Sequence, residues 1–344
     1  MRTDDFLFDL PENLIAQHPP AERGQSRLLL IDRKTQKLEH RMVRDLPSIL
    51  ERGTVMVFNN SRVRRARLIG VFEETGAKAE FLLLNRLDDH TWQVLSNRSK
   101  RRKPGSRYSF NDVRAEIVSH KSAEDAEEGS LRLRFDRPID DTWLDINGHV
   151  PLPPYIKRDD SDIDWERYQT VYAEEYGSAA APTAGLHFTK ELLAELESAG
   201  IEIAFITLHV GLGTFLPVRA ENIKDHKMHE EDYCISDETA LRIEKARAEG
   251  RKVLAVGTTS LRALESAWEA GALQRGSQST SIFIYPGYKL KAADALFTNF
   301  HTPGSTLIML VAAIAGRDFI LESYREAVRE GYRFFSYGDA CLIL

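Results

Sequence analysis

The sequence predicts a mixed α/β main domain interrupted by a small β-barrel, and three observations predict it. Wholly apolar strand-like runs alternate with helix-forming stretches at both ends of the chain, as the buried strands of an α/β sheet do. From about Arg62 to Asp136 the pattern changes to short, partly alternating runs with no helical period of useful length. Pro151-Leu152-Pro153-Pro154-Tyr155-Ile156 then makes a stiff, extended connector back to the first pattern. The expected units are a discontinuous α/β domain over residues 1–61 and 150–344, and an inserted barrel over 62–149.

Taken in order, Pro11 to Ile15 begins a short helix, and Arg27 to Asp32 and Thr54 to Phe58 read as buried strands. The second strand runs into the polar turn Asn59-Asn60-Ser61. The barrel strands are Arg67 to Phe72, Lys78 to Leu84, Trp92 to Ser96, Arg107 to Phe110, Val113 to Val118 and Leu131 to Phe135. Thr-Gly, Asp-Asp, Pro-Gly and Asn-Asp turns separate them. A helix covers Asp162 to Tyr172, with Trp165, Tyr168 and Tyr172 on one face, the spacing of a core stripe. Helices follow at Lys190 to Ala199 (capped by Thr189 and ended by Gly200), at Asp237 to Glu249, from Leu261 and from Thr306. Ile201 to Leu208, Lys252 to Val256, Ser281 to Ile284 and Ala295 to Phe297 are the remaining strands.

Composition excludes several classes. The 344 residues carry a net charge of −6, which argues against a generally basic nucleic-acid coat. Cys234 and Cys341 form no CxxC pair, so no cysteine zinc site or disulfide framework is expected, and the chain suits a reducing cytoplasm. The acidic start Met1-Arg2-Thr3-Asp4-Asp5 is unlike a signal peptide, and the apolar run Leu307 to Ala315 is too short to span a bilayer. Positive charge concentrates in the barrel segment, in Arg62, Arg64, Arg65 and Arg67 and in Arg98, Lys100, Arg101, Arg102, Lys103 and Arg107. Either these are solvated faces, or they form a surface for a phosphate backbone.

The chemistry is expected in the loops after the strands. In a Rossmann-like α/β sheet, ligands bind beyond the strand C-termini, where helix-start N–H groups face outward. Gly177-Ser178-Ala179-Ala180-Ala181-Pro182-Thr183-Ala184-Gly185-Leu186-His187-Phe188-Thr189 has little bulk before Leu186, so a ligand could approach its backbone. Gly257-Thr258-Thr259-Ser260 supplies backbone donors and three hydroxyls, and Gly211-Leu212-Gly213 allows close approach but lacks the rest of a dinucleotide fingerprint. His187, His209, His229 and His301 sit in such loops, which favours acid/base work near neutral pH over a purely structural role. His226-x-x-His229-Glu230 only loosely echoes a metal-ligand pair, and no metal is expected.

These loops resemble a known family. The opening stretch above, Thr207-Leu208-His209-Val210-Gly211-x-Gly213-Thr214-Phe215, Met228-His229-x-Glu231, Val256-Gly257-Thr258-Thr259-Ser260-x-Arg262, Tyr285-Pro286-Gly287-Tyr288, Thr298-Asn299-Phe300-His301 and Tyr332 to Ala340 are similar to the S-adenosylmethionine:tRNA ribosyltransferase-isomerases of queuosine biosynthesis. Gly24 and Arg65 stand where the family pattern leads us to expect other residues. The resemblance implies transfer and rearrangement of the ribosyl part of S-adenosylmethionine onto the aminomethyl group of 7-aminomethyl-7-deazaguanine (preQ1) at the tRNA wobble position. Epoxyqueuosine-tRNA, adenine and methionine would be the products. S-adenosylmethionine would be a consumed cosubstrate, with no other cofactor, no obligatory protein partner, a cytoplasmic location and a monomer as the default state.

It also implies roles. His187, His209, His229 and His301 form the acid/base shortlist, for a proton taken from C5′ beside the sulfonium and one given to the departing adenine. Tyr155, Tyr168, Thr183, Gly185, Gly211, Gly213, Thr214, Phe215, Thr258, Thr259, Ser260, Arg262, Tyr285 and Asn299 are the expected substrate contacts. Arg62, Arg98, Lys100, Arg101, Arg102 and Lys103 are the expected tRNA contacts.

Overall fold

The computed structural model describes residues 1–96, 102–120, 130–211, 218 and 220–344. The first strands are β1 (Arg27–Asp32), β2 (Lys37–Met42), β3 (Val55–Asn59) and the short β4 (Ser61–Val63). Then come β5 (Arg67–Phe72), β6 (Lys78–Arg86), β7 (Thr91–Ser96), β8 (Arg107–Phe110), β9 (Val113–His120) and β10 (Leu131–Phe135). The chain returns through β11 (Glu175–Ser178), β12 (Glu202–Leu208), β13 (Glu231–Ile235) and β14 (Val253–Val256). A small hairpin of β15 (Trp268–Glu269) and β16 (Ala272–Leu273) precedes β17 (Gly276–Thr280), β18 (Ala295–Asn299) and β19 (Ala340–Ile343). The α-helices are α1 (Leu46–Ile49), α2 (Asp141–Asn147), α3 (Asp162–Arg167), α4 (Lys190–Ser198), α5 (Asp237–Ala248), α6 (Thr258–Ala267), α7 (Thr306–Ala315) and α8 (Arg317–Arg329).

The main sheet has the order β17-β13-β12-β3-β14-β18-β19-β1-β2. Its centre, β12, β3, β14 and β18, is parallel, and β19 runs antiparallel to β18 while pairing in parallel with β1. Every residue of β3, β14, β18 and β19 is buried, which is why Val55–Phe58, Val253–Val256 and Ala295–Phe297 read as apolar runs. Helices α5 to α8 pack on one face through Ile243, Leu264, Met309 and Tyr324. Helices α1 and α4 cover the other through Leu46, Leu192 and Leu196, together with Phe188 at the end of the small-residue stretch. Each such aliphatic side chain contributes about 1.5–3 kcal/mol of burial free energy.

Strands β5 to β10 close into a barrel, each antiparallel to both neighbours. In β10, Leu131, Leu133 and Phe135 point inward while Arg132 and Arg134 face out. Gly70 in β5 is required by packing, because a Cβ there would lie 2.7 Å from the Phe110 ring. The parallel pair β4–β11 joins the chain entering the barrel to the α/β body, and an isolated bridge between Arg67 and His149 ties the first barrel strand to the segment leaving the barrel.

Some expectations are corrected. The strand expected at Ser281–Ile284 lies earlier, at Gly276–Thr280, antiparallel to β13. The Thr280 hydroxyl accepts from Ile282 N at 3.1 Å, and Ile282, Phe283 and Ile284 pack on the core. Helix α6 starts at Thr258 rather than Leu261, because Gly257 at φ +90° turns the chain straight out of β14. Only Asp162–Arg167 of the expected 162–172 helix is α-helical, and only a 3-10 turn forms at Glu12–Leu14. Strand β2 was missed because it is an exposed, charged edge with no apolar alternation to read.

Candidate active site

The carboxyl ends of β3, β12, β14 and β18 converge on one edge of the sheet. Asn59 at the end of β3 fixes that edge: its amide donates to Leu208 O at 2.9 Å, and its carbonyl accepts from Leu208 N at 3.0 Å and Ser61 N at 3.1 Å. Ser178 continues the staple, its hydroxyl accepting from Val210 N at 2.9 Å and donating to Ala180 O at 2.8 Å. Because β19 is antiparallel to β18, the residues just before it, Phe335 and Ser336, arrive at the same edge.

A cavity of about 470 Å³ opens there. One wall is the small-residue stretch, from Ala180 to Ala184 and including Thr183. Gly257, Thr258 and Thr259 at the start of α6 form a second wall. Thr298 and Asn299 at the end of β18, His301, and Pro303 to Ser305 before α7 form a third. Tyr155, Phe335 and Ser336 close the remaining side. The Tyr155 phenol is hydrogen-bonded to the Ser336 hydroxyl, and burial pushes it up to about 12, so it is neutral at ordinary pH.

The structure separates the four histidines. His301 lines the cavity, with Nε2 3.0 Å from Thr298 Oγ1, and burial lowers its imidazole to about 3. His187 lies outside that lining, 4 % exposed, with Nδ1 2.8 Å from Ser26 Oγ. Burial lowers it to about 4, opposed by Asn299 and assisted by the nearby Arg333 and Arg23. Both rings are therefore neutral at pH 7. Among the described residues, no hydrogen bond of good geometry reaches the buried Nε2 of His187 or Oδ1 of Asn299, although Asn299 lies near enough to oppose the lowering of the His187 pKa; its amide donates to Phe335 O at 2.9 Å.

His209 precedes Val210, which lines the cavity, but its ring packs under Gly177, where a Cβ would lie 2.8 Å from Nδ1. Burial lowers its pKa, with Asp232 opposing. His229 lies beside His226, outside the cavity lining, and the His226 ring stands edge-on to Phe283 with centroids 5.4 Å apart.

Several expected contacts are also placed elsewhere. Tyr168 is a core residue, 1 % exposed and edge-on to Tyr337. Gly185 makes room for protein rather than ligand, since a Cβ there would lie 2.1 Å from the Tyr172 hydroxyl. The Ser260 hydroxyl is bonded to Val256 O at 2.8 Å. Arg262 forms a buried ion pair with Glu231, whose other oxygen accepts from Gly211 N at 3.1 Å, so this pair anchors the start of the Gly211 loop. Tyr285 packs against Phe283, centroids 5.0 Å apart, and does not line the cavity. Gly213, Thr214 and Phe215 lie outside the described residues, as do Arg98, Lys100 and Arg101.

Of the remaining basic positions, Arg62 stacks over Tyr176 at 4.4 Å, Arg102 donates to the Tyr108 hydroxyl at 3.1 Å, and Lys103 is exposed. Arg64 pairs with Asp141 and Arg67 with Glu80 and Asp160, so part of the first basic cluster is neutralised within the protein. Arg65 lies over the Trp165 ring at 4.3 Å.

Sequence reasoning missed the N-terminal arm. Thr3, Asp4 and Leu7 line the cavity, and the Asp4 side chain is 69 % exposed, so the arm lies at its solvent side, the mouth. Phe6 is fully buried and its carbonyl accepts from Gly304 N at 3.1 Å, which anchors the arm. The core position of Phe6 is the one trace of this in the sequence.

A pocket beyond the carboxyl ends of a parallel strand block, with a separate barrel attached, defines an α/β enzyme carrying an inserted β module. A family model described as queuosine biosynthesis protein matches residues 3–343. An S-adenosylmethionine:tRNA ribosyltransferase-isomerase from Treponema denticola is 56 % identical, with 100 % of both chains covered. One from Clostridioides difficile is 51 % identical, again over 100 % of both chains. A crystal structure of S-adenosylmethionine tRNA ribosyltransferase from Thermotoga maritima, 36 % identical, matches with a TM-score of 0.56 over 99 % of this chain and 100 % of that one. The chain belongs to this queuosine biosynthesis family of S-adenosylmethionine:tRNA ribosyltransferase-isomerases, and is an enzyme.

Proposed function

We propose that the enzyme transfers the ribosyl moiety of S-adenosylmethionine to the 7-aminomethyl group of preQ1 at the tRNA wobble position and isomerises it. The products are epoxyqueuosine-tRNA, adenine and methionine. The observation that carries this reading is the cavity of about 470 Å³, within the range of about 300–1,000 Å³ that small-molecule sites occupy. Its walls combine small residues, hydroxyls and one histidine at the strand ends. The start of α6, with the Thr258 and Thr259 hydroxyls, suits the methionyl carboxylate. The bare wall from Ala180 to Ala184 suits a flat nucleoside.

His301 is the residue we place at the proton-transfer step. It is neutral through the physiological range and so is held as an acceptor, not as a pre-protonated acid. His187 acts behind Asn299 as a positioning residue. His209 and His229 stay on the acid/base shortlist as proposals, although neither lines the cavity. S-adenosylmethionine is consumed, and neither a metal nor a redox group is needed. Residues 62–149 form the tRNA-contact module, with Arg62, Arg98, Lys100, Arg101, Arg102 and Lys103 as its candidate phosphate contacts, and the enzyme works in the cytoplasm.

The test is one chromatogram of the enzyme with S-adenosylmethionine and preQ1-tRNA. Adenine and free methionine are expected in equal amounts and only when tRNA is present. S-adenosylhomocysteine instead would make the enzyme a methyltransferase, and unconsumed S-adenosylmethionine would leave a binding protein.

A further inference from the structure

We infer that Asp4 is the specificity residue for the positive charge on the cosubstrate, supplying the carboxylate that faces its sulfonium; this rests on the function proposed above. Among the described residues that line the cavity, Asp4 is the one carboxylate, and none is a lysine or arginine. The rest of the lining is hydroxyl, amide, aliphatic and aromatic, with the imidazole of His301 and the phenol of Tyr155. A cation entering such a cavity leaves water and meets no formal counter-charge except at the mouth, where Asp4 stands.

The fold places Asp4 there and makes little use of its carboxylate. Thr3 on one side is fixed by its hydroxyl to Ala220 O at 2.6 Å and by its N–H to Glu221 O at 2.9 Å. Phe6 on the other side is sunk in the core. The adjacent Asp5 does the local structural work, accepting from Arg2 N at 2.8 Å to cap the turn Thr3–Phe6. The contact of the Asp4 carboxylate with protein charge is a 3.6 Å approach of Arg2, where both side chains are more than half exposed. An exposed pair of that kind is worth little and is readily exchanged for a ligand cation.

The two neighbouring aspartates provide the experiment. With preQ1-tRNA present, the KM for S-adenosylmethionine and the inhibition constant of S-adenosylhomocysteine, its neutral thioether, are measured for wild type, Asp4→Asn and Asp5→Asn. Asp4→Asn is expected to raise the KM for the sulfonium by roughly three- to fivefold while the thioether constant moves less than about twofold. Asp5→Asn is expected to leave the ratio of the two constants unchanged. Equal losses for both ligands, or no loss for either, overturn the inference while leaving the proposed reaction standing. A wild type that does not consume S-adenosylmethionine overturns both.

Discussion

At the scale of single residues, the proposed chemistry and the response to pH both bear on His301 and His187. A proton-transfer role predicts that His301→Gln lowers kcat by roughly a hundred- to ten-thousandfold in a protein of unchanged melting temperature. Retention of more than a tenth of wild-type turnover would remove His301 from the chemistry. Their titration has a stability consequence as well. Folding holds His187 at about 4 and His301 at about 3, against 6.5 when exposed, so between those values the unfolded chain binds more protons than the native one. Stability is therefore retained above pH 6.5 and declines as pH falls toward 4. Urea unfolding at pH 7.0 and 4.5 is expected to show that decline in wild type and a smaller one in His187→Gln. Asp164 acts in a lower window: burial would raise its carboxyl, but Arg158, Ser161 and Tyr337 outweigh it and hold it well below the usual range, so its contribution is lost only below about pH 4.

Among the elements, the small-residue stretch shows what could and could not be read from sequence. Its lack of bulk was legible, and so was the cap by Thr189, whose hydroxyl accepts from Leu192 N at 3.1 Å. Which small residue faces which neighbour was not, because that depends on side chains far away in the chain. Ala180 to Ala184 face the cavity, whereas Gly177 admits the His209 ring and Gly185 admits Tyr172. Gly185→Ala is accordingly predicted to cost about 1–3 kcal/mol by overpacking, and Tyr172→Phe to recover part of it by removing the nearest atom. A melting temperature unchanged by Gly185→Ala would contradict this packing. Buried central strands and inward-facing barrel residues were legible for the same reason, namely that hydrophobic period reports burial directly. The exposed edge β2 and the Asp4 arm were not, because neither carries a period.

Over the whole molecule, the enzyme joins an acidic α/β body to a barrel whose sequence carries a basic run at Arg98, Lys100, Arg101, Arg102 and Lys103. If that segment meets the tRNA backbone, neutralising Arg101, Arg102 and Lys103 raises the tRNA KM and flattens its dependence on salt concentration. Unchanged salt dependence would place the tRNA elsewhere. Arg102 also lies 5.3 Å from the Phe81 ring centroid, so Lys103→Gln alone separates charge from packing. The order of strands in the main sheet has a consequence for how the protein is made. Strand β1, near the start, lies beside β19, and β19 also pairs with β18. During synthesis on the ribosome the barrel strands are all available by Phe135, whereas β1 must wait for residues 340–343 to emerge before it gains its inner neighbour. For most of its translation the nascent chain thus holds all six barrel strands but only part of the main sheet, and the apolar edge of β1 is the surface a chaperone would first have to shield.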